Sequence, residues 1–365
     1  MAKKAPEKPT NGVGKKIFDI DKFKNDHGFT EAVAKKELSW IPFSEAFYEA
    51  LKIPGIPRGF MTSFRGYSNT GKSTAIYEAV VGANRIGDFP IIFETEGNWN
   101  WEHARDIGMV YEEVYDEETG EVIDYKGDFL FFNGDKLLKW FGNYDYSTSK
   151  EGTKMLRDEP VIEDIARAIN YFLEEQNKGE LPRNLLFLWD SVGSLDCYKS
   201  VMSNSSNNQW NAGAMEAAFK SLINFKIPSS QNINKEFTNT FAVVQKIWMD
   251  NENKVIKHKG GEAFFFASRL IVHYGGILSH GTAKLKATSG GETYQFGMET
   301  KIRCEKNQVN GVEEMGVIAS TSHGYWNPKK LEEYKKKHRD FILKKLNTPL
   351  DDFNIVSDGS VNMED

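Results

Sequence analysis

The chain has 365 residues, with 46 basic and 52 acidic side chains for a formal charge of −6, and 40% of it is hydrophobic. These values exclude disordered, collagen-like and coiled-coil chains, and they fit one large core with a smaller appendage, or two domains. No run approaches the roughly 18 uncharged apolar residues of a membrane span, and the Lys- and Pro-rich start lacks the apolar segment of a secretory signal.

Residues 1–14 are rich in Lys, Pro and Gly without apolar periodicity and read as a loose tail. Residues 15–52 form an N-terminal segment, helical in places such as Ser44–Leu51. The core spans 53–326. Its expected strands are Phe60–Phe64, Phe89–Phe93, Leu185–Trp189, Phe241–Val244 and Arg269–Val272, and its expected helices are Ser73–Asn84, Val161–Glu175 and Ala212–Phe225. Strands alternating with helices predict an α/β fold: a mostly parallel, twisted sheet covered by helices on both faces, with short appendages at each end.

An insertion at 111–158 interrupts that alternation. Glu112–Asp124 carries seven carboxylates and no base around Thr119-Gly120, which predicts an acidic hairpin, and Asn143–Asp158 reads as a polar loop. Within 327–348, Asn327-Pro328 fits the start of a basic helix running to Leu346, with eight bases against three acids; 349–365 reads as a loose acidic tail. Cys197 and Cys304 make neither a disulfide framework nor a CxxC zinc site, so a reduced, cytoplasmic location is expected. The acidic balance argues against indiscriminate nucleic-acid binding but allows a local basic surface.

Gly66-Tyr67-Ser68-Asn69-Thr70-Gly71-Lys72-Ser73-Thr74 is a full GxxxxGK[ST] between an expected strand and an expected helix. Its glycines let the backbone curl, so that N–H groups and the helix N-terminus converge on one anion. Lys72 would reach the β- and γ-phosphates of ATP, and the Ser73 hydroxyl would ligate Mg²⁺. Asp190, ending an apolar strand, is the second expected Mg²⁺ contact. Glu94 and Glu96 both follow a strand and are both of the right type to activate water; position alone does not choose between them. Gln245, at another strand end, suits contact with a γ-phosphate.

Together these motifs resemble the RecA family of homologous-recombination ATPases over roughly residues 50–325. The further strings are Gly55-Ile56-Pro57-Arg58-Gly59, Asp190-Ser191-Val192 with Leu195, Gly260-Gly261-Glu262-Ala263 with Phe265–Arg269, and Glu299–Ile302 followed by Lys306-Asn307. The resemblance implies a RecA-like P-loop ATPase core with residues 15–52 as an oligomerisation segment. It implies Glu96 as general base, Asn100 and His103 at the adenine, and Gln245 as the sensor that couples ATP to DNA. It also implies Lys306 acting across a filament interface on the neighbour's ATP.

Two disordered DNA-binding loops would fall at about Ser200–Gly213, with Asn208, Trp210 and Asn211, and at Lys246–Lys259. The second holds Lys246, Ile247, Trp248, Met249, Lys254, Lys257 and Lys259, and Gly260 and Gly261 follow it. Apolar wedges beside cations suit stretched single-stranded DNA. Three departures stand out: Gln308 occupies the position of a second trans lysine, Asn100 and His103 replace Asp and Tyr, and the region after the core is short, as in phage-type members. The implied activity is strand exchange by a helical filament on single-stranded DNA, pairing homologous duplex DNA, with a mediator and a single-strand-binding protein as further partners and no membrane. The rival readings are a hexameric helicase motor and an ATP-gated paralogue that scaffolds or loads a recombinase. The short N-terminus and Lys306-Asn307 weigh against the helicase.

Overall fold

The computed structural model describes residues 19–28, 34–144, 157–205, 207–250, 255–258, 262–276, 281–349, 353–359 and 361. The tail at 1–14 and most of the polar loop before residue 157 lie outside them, as do Lys254, Lys259, Gly260 and Gly261.

In chain order, β1 (Trp40–Pro42) pairs antiparallel with β2 (Gly55–Pro57), flanking the helix Glu45–Leu51. The strand β3 (Met61–Gly66) leads into the helix Lys72–Ile86, and β4 (Phe89–Glu94) into Trp101–Ile107. A separate hairpin, β5 (Glu112–Tyr115) with β6 (Val122–Lys126), is the expected acidic hairpin. Then come β7 (Leu130–Phe132), β8 (Leu185–Val192), β9 (Thr240–Asp250), β10 (Val255–His258) and β11 (Leu270–Tyr274). The chain continues through β12 (Thr282–Ser289), β13 (Glu292–Asn307), β14 (Met315–Thr321), β15 (Gly324–Trp326) and β16 (Asn354–Ser357).

Six strands form a parallel sheet in the order β11-β3-β9-β8-β4-β7, and β13, β14 and β15 extend it antiparallel beyond β11. All five strands expected from apolar runs are in this parallel sheet. The reason is burial on both faces, which leaves a near-continuous apolar run in each strand. Phe64, Ile92, Leu188 and Val244 pack on one face against the helices Glu45–Leu51 and Lys72–Ile86. Met61, Phe93, Trp189 and Val243 pack on the other against Gly134–Phe141, Ile162–Lys178 and Asn208–Ser221. Each large side chain fully buried this way contributes about 1.5–3 kcal/mol relative to exposure.

Residues 40–51 belong to this core, since Ile41, Phe43, Phe47 and Leu51 are buried in its first cluster. The antiparallel extension was not legible, because its strands bury one face only and read as polar; β13 alone carries Glu292, Glu299, Lys301 and Glu305. Two expectations about the C-terminal region need correction. The basic helix is not continuous: a short 3-10 turn precedes Leu331–Lys337 and Arg339–Lys345, which are separated at His338 (φ −112°, ψ 24°). There the His338 ring stacks on His323 with centroids 3.6 Å apart, tying the break to the sheet. The acidic tail is not wholly loose either: Phe353 is buried with Tyr334, Ile342 and Leu343, and β16 pairs with β12. Burial of one aromatic outweighs the acidic composition around it.

Candidate functional site

The site gathers at the C-terminal ends of β3, β9, β8 and β4, where parallel sheets place ligands. The loop Gly66–Gly71 turns from β3 into the N-terminus of the helix Lys72–Ile86. Gly71 has φ 84°, and a Cβ there would sit 2.8 Å from Ser320, so the turn requires glycine. Thr70 donates to the Tyr67 carbonyl at 2.9 Å, Tyr325 donates to the Gly71 carbonyl at 3.0 Å, and Thr74 and Ser320 hydroxyls are 2.5 Å apart. The Lys72 ammonium bonds the Tyr67 carbonyl. Burial pulls the Lys72 pKa down to about 8, with Asp190 opposing and Lys246 adding to the drop. Ser68, Asn69 and Ser73 stay exposed at the mouth.

Asp190 is buried on β8, and the Ser73 hydroxyl lies near enough to its carboxylate to oppose the effect of that burial. Burial pushes this carboxyl up to about 6; the Ser73 hydroxyl and Lys72 oppose the rise, while Glu96 and Glu94 add to it. Residue types that bind Mg²⁺ through one hydroxyl and one carboxylate, with phosphates and water completing the shell, are therefore already side by side. No cluster of three or more His, Cys, Asp or Glu suited to a metal occurs among the described residues, and a nucleotide-borne Mg²⁺ does not require one.

The two carboxylates left open by the sequence have different surroundings. Glu94 is buried and accepts the backbone N–H groups of Glu96, Gly97 and Asn98 at 3.0, 3.1 and 3.0 Å. It shapes the loop that carries Glu96. Glu96 faces a cleft of about 340 Å³ lined by Thr95, Ser191, Ser194 and Lys246. It accepts bonds from Ser191, from Lys246 at 2.9 Å and from Asn98 at 3.3 Å. Burial raises its pKa, but the Ser191 and Lys246 bonds outweigh that and hold it below the usual carboxylate range. Gln245 is buried on β9, opposite Arg65 of β3 and Val192 of β8, and so lies between the strand that leads into the Gly66–Gly71 turn and the strand that carries Asp190.

Other assignments change. Asn100 caps the helix Trp101–Ile107, its side chain accepting the His103 N–H at 2.8 Å, so that side chain is already engaged in the fold. His103 lies edge-on to Tyr77 at 4.9 Å, and burial, with His323 nearby, lowers it to about 4. The first expected DNA loop is helical at both ends: Ser200–Met202 close the helix Tyr198–Met202, and Asn208–Gly213 open the helix Asn208–Ser221. Asn208 is exposed there, but Trp210 packs beside the second core cluster with Lys199 over its ring, and Asn211 bonds Asp196 and the Cys197 N–H.

The second expected loop is the β9–β10 hairpin, with Trp248 opposite Lys257 and Ile247 opposite His258. Ile247 is buried, which removes it as a wedge; Trp248 is 41% exposed. Met249 lies on the same strand. Lys257 is exposed. Hairpin pairing satisfies backbone groups that the loop reading left open. Lys306 donates to the Phe265 and Phe266 carbonyls at 3.0 and 2.9 Å, and Gln308 accepts from Arg269 at 2.9 Å. The site residue that sequence reasoning missed is Lys246, expected on DNA but placed on Glu96; its position directly after Gln245 was the available signal.

Comparison with models of known protein families gives no match, and comparison with curated proteins gives none either. No helix of the described residues is long and apolar enough to cross a membrane.

Proposed function

We propose that this chain is an ATP- and single-stranded-DNA-dependent recombinase with a RecA-like core. It would polymerise on single-stranded DNA, hydrolyse ATP and exchange strands with homologous duplex DNA. The observation that carries the reading is the Ser73 hydroxyl beside the buried Asp190 carboxylate at the mouth of a GxxxxGK[ST] turn, with Glu96 on the adjacent strand end. Bound Mg²⁺ would be held by Ser73 and Asp190 and would supply charge neutralisation at the β- and γ-phosphates. Lys72 would leave the Tyr67 carbonyl for the phosphates, while loop N–H groups and the helix N-terminus bind the remaining anionic oxygens. Glu96 would orient and deprotonate the attacking water. Gln245, between the two phosphate-facing strands, would report the γ-phosphate to the β9–β10 hairpin, whose Trp248 and Lys257 would meet bases and phosphates.

One observation favours a second reading, an ATP-gated scaffold or loader with little turnover. Glu96 is held by three donors, and Lys306 is bonded to carbonyls of its own chain. The deciding experiment measures ATP hydrolysis with and without single-stranded DNA for the wild type, Lys72→Ala and Glu96→Gln, with negative-stain imaging of the same samples. DNA-stimulated turnover in filaments, lost in both variants, supports the recombinase. Closed rings indicate a helicase motor, and filaments with little turnover indifferent to Glu96→Gln indicate the scaffold.

A further inference from the structure

The Lys246 ammonium lies 2.9 Å from the Glu96 carboxylate. Its backbone pairs with Gly66, the first residue of the phosphate loop, and its charge is among those that lower the pKa of Lys72. Two ammoniums, Lys72 and Lys246, thus share one site with two carboxylates, Asp190 and Glu96. A Lys246 side chain 40% exposed gains little fold stability from such a pair. Its flexible four-carbon stem leaves the charge free to change partners.

We propose that Lys246 is a second phosphate-contacting cation: it holds Glu96 in the nucleotide-free chain and passes to the terminal phosphate of a bound nucleoside triphosphate, releasing Glu96 to orient water. The inference rests on the nucleotide reading of the site and adds to it a residue, a partner exchange and a basis for distinguishing triphosphate from diphosphate. A diphosphate lacks the terminal group, so the Lys246–Glu96 pair persists when it binds. Because Lys246 directly precedes the hairpin residues Ile247 and Trp248, the exchange is transmitted along one strand.

The test titrates full-length protein with Mg²⁺ and either a fluorescent non-hydrolysable ATP analogue or fluorescent ADP. Lys246→Met weakens the triphosphate about 10- to 100-fold, as expected for loss of a charge-assisted hydrogen bond, and leaves ADP within about twofold. Lys246→Arg restores most of the difference. Glu96→Gln, which removes the competitor for the ammonium, tightens the triphosphate, and the double variant Lys246→Met/Glu96→Gln loses that gain. Circular dichroism checks that each variant is folded. Lys246→Met binding both nucleotides as the wild type does, or losing both equally, overturns the inference while the nucleotide reading stands. A wild type that binds neither nucleotide, or a Lys72→Ala variant that binds like wild type, overturns the nucleotide reading and the inference together.

Discussion

The Ser73 hydroxyl lies beside the Asp190 carboxylate and opposes the rise of its pKa, bringing the first turn of the helix Lys72–Ile86 next to a strand two places away in the sheet. Burial raises Asp190 from an ordinary value of 3.8 to about 6. A carboxyl raised in this way favours the fold when protonated. Its contribution is complete below about pH 3.8 and is lost as the pH rises through about 6. Asp190→Asn should therefore stabilise the nucleotide-free chain by on the order of 2 kcal/mol at pH 8 and by little near pH 4. Urea melts across that range check the sign. Adding Mg·ATP should reverse the order, because the wild type alone gains the linked stabilisation.

Glu94 and Glu96 should separate by assay. Glu94→Gln disturbs an acceptor of three backbone N–H groups and should cost about 1–3 kcal/mol of stability. Glu96→Gln should leave the melting temperature nearly unchanged and slow hydrolysis about 10²- to 10⁴-fold. Thermal melts and turnover on the same preparations are the measurement; a Glu94→Gln variant that is stable but inactive would mean the base has been assigned to the wrong residue.

On the β9–β10 hairpin, Trp248→Ala should weaken single-stranded DNA binding by about 1–3 kcal/mol through lost stacking, without affecting the melt. Its neighbour Ile247 is buried, so Ile247→Ala should cost about 2–4 kcal/mol of fold stability instead. Fluorescence anisotropy with an oligonucleotide, alongside urea denaturation, distinguishes the two effects.

Away from the site, the Arg157–Asp164 pair is fully buried at 2.7 Å, and Asp164 also accepts the Val161 N–H at 2.9 Å. Asp164→Ala strands a buried cation and should cost about 3–5 kcal/mol. Nucleotide affinity of the folded variant should stay at the wild-type level by the same titration used for Lys246.

Local order carried the Gly66–Gly71 turn, the five two-faced strands, the helices between them and the acidic hairpin. Each of these depends on near neighbours: glycines at a turn, an apolar run, a 3.6-residue period. Partner choice is a matter of tertiary distance. Two glutamates two residues apart at a strand end look alike until one is found closing a loop of backbone N–H groups and the other facing a lysine from a different strand. The same holds for Asn100, whose side chain caps its helix, and for Ile247, which a hairpin turns inward. The one-faced strands β12 to β14 and the Phe353 anchor were hidden because half-polar sequence acquires a buried face only when the rest of the sheet supplies it. Apolar runs and a glycine turn were enough to specify the two-faced parallel sheet and the Gly66–Gly71 turn at its edge. Which charges meet over that loop was decided by the strand order, which brings Lys246, Glu96 and Asp190 together across 150 residues of chain.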